Sequence, residues 1–170
     1  MGPQPALFVV DDNFADEVAD AMERAGKLLS IRARSERELS DRLLEAGFSD
    51  GVVAQTLTRL VELGLVDDLD FARQWVADRS ARKKLGPRAL KAELAAKGIS
   101  REVIEEALAE EGPDEETLAI EAAASHVRKV ARLPLAAQAA KLQQMLLRKG
   151  FSFEAAEAGV RAVLPPEGWD

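Results

Sequence analysis

The chain contains no cysteine and no tyrosine, and it has a single histidine among 170 residues. Without thiols there can be no disulfide framework, no cysteine nucleophile and no thiolate-ligated zinc or iron–sulfur centre. No apolar run approaches the ~20 residues that a membrane span needs, so no membrane partner is expected. The start, MGPQPALFVVDDNFADE, carries neither a basic n-region nor a cleavable apolar h-region. No secretory signal is therefore expected, and a cytoplasmic location is the simplest expectation. The patterns GxGxxG, GxxxxGK[ST], GxSxG and HExxH are all missing. His126, in AASHVRKV on a predicted helix, has no second histidine to share a metal with. It is expected to be structural or solvent-facing. No catalytic residue, metal site or cofactor is expected, and the chain does not read as an enzyme.

Hydrophobic residues, by contrast, make up 47% of the chain, enough for a packed interior. The net charge of −7 is unevenly spread. Asp11 to Glu23 holds six acids and no base, and Glu102 to Glu121 holds nine acids and no base. Between them, Arg79, Arg82, Lys83, Lys84, Arg88, Lys91, Lys97 and Arg101 are opposed only by Asp78 and Glu93 over residues 77–101. Overall acidity argues against indiscriminate nucleic-acid binding, yet one basic band remains.

Three segments align without gaps: ELSDRLLEAGFSDGVVAQTL, ALKAELAAKGISREVIEEAL and KLQQMLLRKGFSFEAAEAGV. Their anchors are Gly47, Gly98 and Gly150. Leucines stand eight residues before each glycine (Leu39, Leu90, Leu142) and four before it (Leu43, Leu94, Leu146). Phe48, Ile99 or Phe151 follows the glycine, and then Ser49, Ser100 or Ser152. Ten after it comes Leu57, Leu108 or Val160. Leucines four apart share a helix face, the glycine suits a left-handed helix end, and the serine suits the cap of the next helix. Each unit is a helix pair joined by a tight turn, and such a pair needs a third element to bury its apolar face. Helical spacing supplies one before each pair, over 14–33, 68–84 and 114–131. Ser35-Glu36-Arg37-Glu38 reads as a capping box. Gly64 ends one helix, Asp67 or Asp68 can cap the next, and Pro87 suits a first turn. Gly112-Pro113 and Pro134 are further breaks. Phe8, Val9 and Val10 are the only β-like residues. The third copy places Ala155 and Ala156 where larger apolar residues stand elsewhere, and it carries Gly159 inside a helix.

The expected fold is all-α: three tandem three-helix repeats forming an elongated body that can curve. The modules are 14–64, 65–112 and 113–164, with a flexible N-terminus at 1–13 and a tail at 165–170. Trp75 and Phe71, four apart with Val76 alongside, are expected in the core. The cluster Asp67-Asp68-Leu69-Asp70 lacks the spaced glycine and closing glutamate of a calcium loop, so capping is preferred over metal binding. Arg79, Arg82 and Lys83 fall at i, i+3 and i+4 on one helix end, followed by Lys84, Arg88 and Lys91. This band is the candidate anionic docking surface, either for phosphate or for an acidic protein groove. Arg32-Arg34-Arg37, Arg128-Lys129-Arg132 and Arg148-Lys149 form smaller patches.

The sequence resembles the RecX family of recombination regulators over about residues 20–164. The carrying segments are LLSIRARSERELSDRLLEAGF, LVELGLVDDLDFARQWVADRSARKKLGPRALKAELAAKGI and LLRKGFSFEAAEAGV. The most specific part is Gly64-Leu65-Val66-Asp67-Asp68 followed by Phe71-Ala72 and Arg79. The resemblance implies a protein that binds the RecA recombinase and the RecA–single-stranded-DNA filament and inhibits RecA's ATPase, coprotease and strand-exchange activities. Weak direct DNA contact is a further option, and no obligate dimer is expected. Gly64, Asp67, Asp68, Phe71, Ala72, Gly47, Gly98 and Gly150 are expected to serve mainly structure. The competing reading is a helix-turn-helix DNA-binding regulator, which needs a basic recognition helix. A helical adaptor for some other complex is a third.

Overall fold

The computed structural model describes residues 12–165. Among them stand nine α-helices and no strand, as the all-α reading expects. They are α1 (Asp12–Ile31), α2 (Glu36–Glu45), α3 (Asp50–Glu62), α4 (Asp68–Lys83), α5 (Pro87–Ala96), α6 (Arg101–Glu111), α7 (Glu115–Val130), α8 (Leu135–Arg148) and α9 (Phe153–Val163). Helix α1 begins at Asp12, ahead of the expected module start, and the Asn13 amide donates to Glu17 at 2.7 Å. Phe8, Val9 and Val10 lie outside the described residues, as does the chain beyond residue 165. No helix among the described residues is long and apolar enough to cross a membrane.

The repeat resolves into one hydrogen-bonded turn used again and again. Gly47, Gly98 and Gly150 have φ of +96°, +78° and +89°. Each glycine N–H donates three residues back, to Leu44, Ala95 or Leu147, at 2.9–3.0 Å. The next residue's N–H donates five back, from Phe48 to Leu43, Ile99 to Leu94 and Phe151 to Leu146, each at 3.2 Å. This paired pattern satisfies the orphan carbonyls of a helix end, and it brings the residue after the glycine onto the leucine four before it. The two sequence columns are thus the two halves of one apolar contact. Ser49, Ser100 and Ser152 then accept from the N–H of Val52, Val103 and Ala155 at 3.2–3.4 Å, starting the next helix. Gly64 makes a fourth turn of the same kind, with φ +68° and Leu65 N–H donating to Leu60 at 2.9 Å.

The chain divides into two compact units, one ending at Asp67 and the other beginning at Asp68. In the first, α1 lays Val18, Ala21 and Ala25 against Leu39 and Leu43 of α2 and against Val52, Val53 and Leu60 of α3. Ser35 is fully buried but satisfied. Its hydroxyl accepts from Glu38 N–H at 3.2 Å, and Glu38 accepts from Ser35 N–H at 3.3 Å, which completes the capping box.

The second unit holds two cores. Helices α4–α6 enclose Phe71, Ala72, Val76, Leu90, Leu94, Ile99 and Ile104. Helices α7–α9 enclose Leu118, Ala122, Leu142, Leu146, Phe151 and Val160. Main-chain bonds tie the two together. Gly86 N–H donates to the Lys149 carbonyl at 2.8 Å, and Arg88 N–H donates to the Gly150 carbonyl at 3.1 Å. Gly86 caps α5 without a side chain. The carbonyls at the end of α8 therefore do for α5 what serine does for the helices after the turns. The small residues of the third copy have a physical reason. Ala155, Ala156 and Gly159 of α9 and Ala119, Ala122 and Ala123 of α7 are buried in one core. They let the two backbones approach closely, so that a Cβ on Gly159 would lie 2.9 Å from the Ala119 carbonyl oxygen.

Asp114 starts α7. Its carboxylate accepts from the Thr117 N–H and the Thr117 hydroxyl, both at 2.8 Å. These bonds hold the carboxyl below the usual range. A folded value below the unfolded one stabilises the fold at pH above the ordinary carboxylate range, and that stabilisation is lost as pH falls through the folded value. Asp114→Ala is expected to lower stability at neutral pH and to flatten its decline in acid. Urea unfolding at neutral pH and through the acid range measures both. An acid decline equal to that of the parent chain would count against the cap.

Candidate partner-binding surface

Gly64 shapes a turn, and Phe71 and Ala72 are buried in the α4–α6 core. Asp67 is exposed and Asp68 half-buried at the start of α4, where negative charge favours the helix dipole. Among the described residues, no group of three or more histidines and acids is placed to hold a metal ion.

The basic band separates into committed and uncommitted members. Arg79 turns inward: its guanidinium lies 4.3 Å from the Trp75 ring centroid and 3.4 Å from Glu93. Glu93 also accepts from Trp75 Nε1 at 2.8 Å, and Phe71 stacks on Trp75 at 5.7 Å. Arg79 therefore fastens α4 to α5. Lys84 pairs with Glu121 at 3.0 Å and Lys91 with Glu105 at 3.7 Å. Arg82 pairs with Asp78 at 2.6 Å, yet its side chain stays 80% exposed, so that pair contributes little. Lys83 and Arg88 are exposed and form no ion pair among the described residues. Arg82, Lys83 and Arg88 are thus the members still able to meet a partner.

A second basic feature gathers on the third module, where the sequence offers only small scattered patches. Helices α7 and α8 border a groove of about 410 Å³. His126, Lys129, Lys141, Gln144 and Arg148 line it, and no carboxylate does. Its apolar lining is Val130, Leu142 and Met145. Lys129, Lys141 and Arg148 are exposed and unpaired among the described residues. The positive field extends to Lys149, whose Nζ donates to the Lys83 carbonyl at 2.6 Å. Burial, and then Lys129, Lys84 and Lys83, hold its ammonium below the usual lysine range. Periodicity alone marks the rails, Lys141 and Arg148 seven apart on α8 and His126 and Lys129 three apart on α7. Their convergence needs the fold.

The helices that follow the three repeat turns all carry net negative charge. α3 holds Asp50 and Glu62 against Arg59, α6 holds five glutamates against Arg101, and α9 holds Glu154 and Glu157 against Arg161. None suits the phosphate-lined major groove.

Tandem three-helix modules, each with a glycine turn between its second and third helices and differing in surface charge, define a helical-repeat chain. Family models described as the first, second and third three-helix domains of RecX match residues 21–60, 67–108 and 114–158 in that order. The chain belongs to the RecX family. It is 52% identical over 84 residues to the regulatory protein RecX of Mycobacterium sp. (strain JLS), across 49% of this chain and 46% of that one. It is 32% identical over 159 residues to the regulatory protein RecX of Bacillus licheniformis, across 91% of this chain and 59% of that one. It thus spans about half the length of the curated relatives it matches. The crystal structure of RecX from Lactobacillus salivarius shares the fold, with a TM-score of 0.78 at 23% identity over 86% of this chain and 96% of that one.

Proposed function

We propose that this chain is a regulator without catalysis of its own, which binds the RecA recombinase on its single-stranded-DNA filament. It inhibits RecA's ATPase, coprotease and strand-exchange activities and so modulates recombinational repair and the SOS response. The ordered succession of three RecX domains along one chain is the observation that carries this reading. Residues Arg79, Arg82, Lys83, Lys84, Arg88 and Lys91 form the contact region, with Arg82, Lys83 and Arg88 meeting acidic RecA surface or DNA phosphate directly. The exposure of these three supports that division.

The chain is expected to slow RecA ATP hydrolysis on single-stranded DNA. Inhibition far below one copy per RecA indicates blocking of filament growth, and inhibition near equal amounts indicates binding along the filament. Reversing Arg82, Lys83 and Arg88 to glutamate is expected to weaken inhibition by roughly tenfold, the scale of losing close charge pairs in an interface. No effect of the parent chain at any ratio would reject the RecA reading. Full inhibition by the folded triple variant would reject the contact region.

A further inference from the structure

The acid-free groove between α7 and α8 plays no part in the contact region just described. We propose that it is a second docking site, which seats an acidic segment of a partner polypeptide carrying apolar side chains among its carboxylates. The inference rests on the groove alone and stands apart from the RecA reading.

Three observations converge on that occupant. Acids outnumber bases 30 to 23 along the chain, yet none lines this groove. Several cations elsewhere in the same unit are answered: Arg73 meets Glu110, Arg79 meets Glu93, Lys84 meets Glu121 and Arg161 meets Glu157. Lys129, Lys141 and Arg148 are not. Holding like charges together without counter-charge costs free energy in the unbound protein, and that cost is relieved when an anionic partner arrives.

The geometry fits a peptide. Lys141 and Arg148 are seven residues apart on α8, so they stand about 10.5 Å apart along its axis. They flank Met145, with Leu142 beside Lys141. Across the groove, Lys129 and His126 flank the approach to Val130. A carboxylate can therefore reach a cation at each end while an apolar side chain settles on the half-buried Met145 between them.

The lining also separates a peptide from single-stranded nucleic acid. Non-specific single-strand grooves combine cations with aromatic rings on which bases stack. This groove has cations but no phenyl or indole ring, its one ring being the half-buried imidazole of His126, and its Val and Met surface offers nothing to a phosphodiester. Planar Arg148 suits a carboxylate held by two parallel N–H groups.

The test is fluorescence anisotropy with two probes of equal charge: a labelled peptide repeating Asp-Glu-Leu, and a labelled oligo-dT. The parent chain is compared with its K129E/K141E/R148E variant. All three positions are exposed, so the fold tolerates the changes, and circular dichroism verifies it. The peptide is expected to bind the parent chain more tightly than oligo-dT. It should lose on the order of tenfold or more in affinity in the variant, and salt should weaken the binding. Equal peptide affinity for parent and variant, or no peptide binding by the parent, would overturn the proposal. So would tighter oligo-dT binding that vanishes in the variant, which would assign the groove to nucleic acid. Peptide binding by a parent chain that does not inhibit RecA at any ratio would leave this site standing and reject the other reading.

Discussion

Replacing Gly150 by alanine is expected to destabilise the second unit by about 4 kcal/mol or more, while the same change at Gly47 costs only about 1–2 kcal/mol. Both glycines sit at positive φ, and both would make an L-residue adopt a left-handed conformation. That penalty is common to the two. A Cβ at Gly47 meets nothing within 4 Å. At Gly150 it would fall on the Ala89 amide nitrogen and 2.6 Å from the Ala89 Cβ. Backbone cannot swing aside as a side chain can. Helix α5 would have to withdraw from the turn between α8 and α9, giving up the bonds from Gly86 to Lys149 and from Arg88 to Gly150. Each lost bond costs about 1 kcal/mol, and more where a donor is left buried.

A second variant isolates the junction. Gly86 has φ −77°, so alanine there brings no left-handed strain, yet its Cβ would lie 2.6 Å from the Gly150 carbonyl. Gly86→Ala and Gly150→Ala should therefore be strongly non-additive, because either one alone opens the same contact. Urea unfolding followed by the fluorescence of Trp75, which lies in this unit, measures the values at Gly86 and Gly150, and circular dichroism follows the first unit for Gly47. Equal costs at Gly47 and Gly150 would show that the junction adds nothing to the turn.

The second large effect belongs to Gly159. Glycine inside a helix ordinarily weakens it by up to about 1 kcal/mol relative to alanine, so a larger residue should help. Gly26 in α1 follows that rule. It is exposed, with nothing within 4 Å of a Cβ, and Gly26→Ala is expected to stabilise the first unit by about 0.5–1 kcal/mol. Gly159 reverses it. Its Cβ would press on the Ala119 carbonyl at 2.9 Å and on Leu146 Cδ1 at 3.1 Å. Valine adds two methyl groups to that space and restricts its own rotamers, so Gly159→Val is expected to cost about 3 kcal/mol or more. Thermal unfolding of the two variants should move in opposite directions. A Gly159→Val chain as stable as the parent would mean that α7 and α9 do not pack as closely as their small residues indicate.

The fold was legible in the sequence because one turn makes several demands at once. A left-handed glycine, an apolar residue after it, a leucine four before it and a capping serine are local requirements set by hydrogen-bond geometry. Each requirement selects a residue type at a fixed offset, so three copies announce themselves. Gly64 was legible as a helix end. Its kinship with the other three lies in its positive φ and in the bonds from Gly64 to Val61 and from Leu65 to Leu60.

The charged surface was legible only in part. The basic band can be read from spacing, but the acids that answer it cannot. Glu93 and Glu105 come from the following helices, and Glu121 lies 37 residues beyond Lys84. Through these pairs Arg79 and Lys84 become partly structural, Lys91 stays exposed beside Glu105, and Lys83 and Arg88 are left unpaired among the described residues. The groove on the third module is the converse case. Lys129, Lys141 and Arg148 look like scattered solubilising charge until α7 and α8 pack side by side.

The sequence by itself determined the helices, their caps, the glycine turns and the total charge, because each depends on residues within one or two turns of one another. Only the tertiary structure decided why Gly150 and Gly86 must be glycine, why α9 is built from small residues, and which cations are left without an acid. Those outcomes depend on which backbone and which carboxylate come within a few ångströms across segments distant in the chain, and no local pattern encodes that distance.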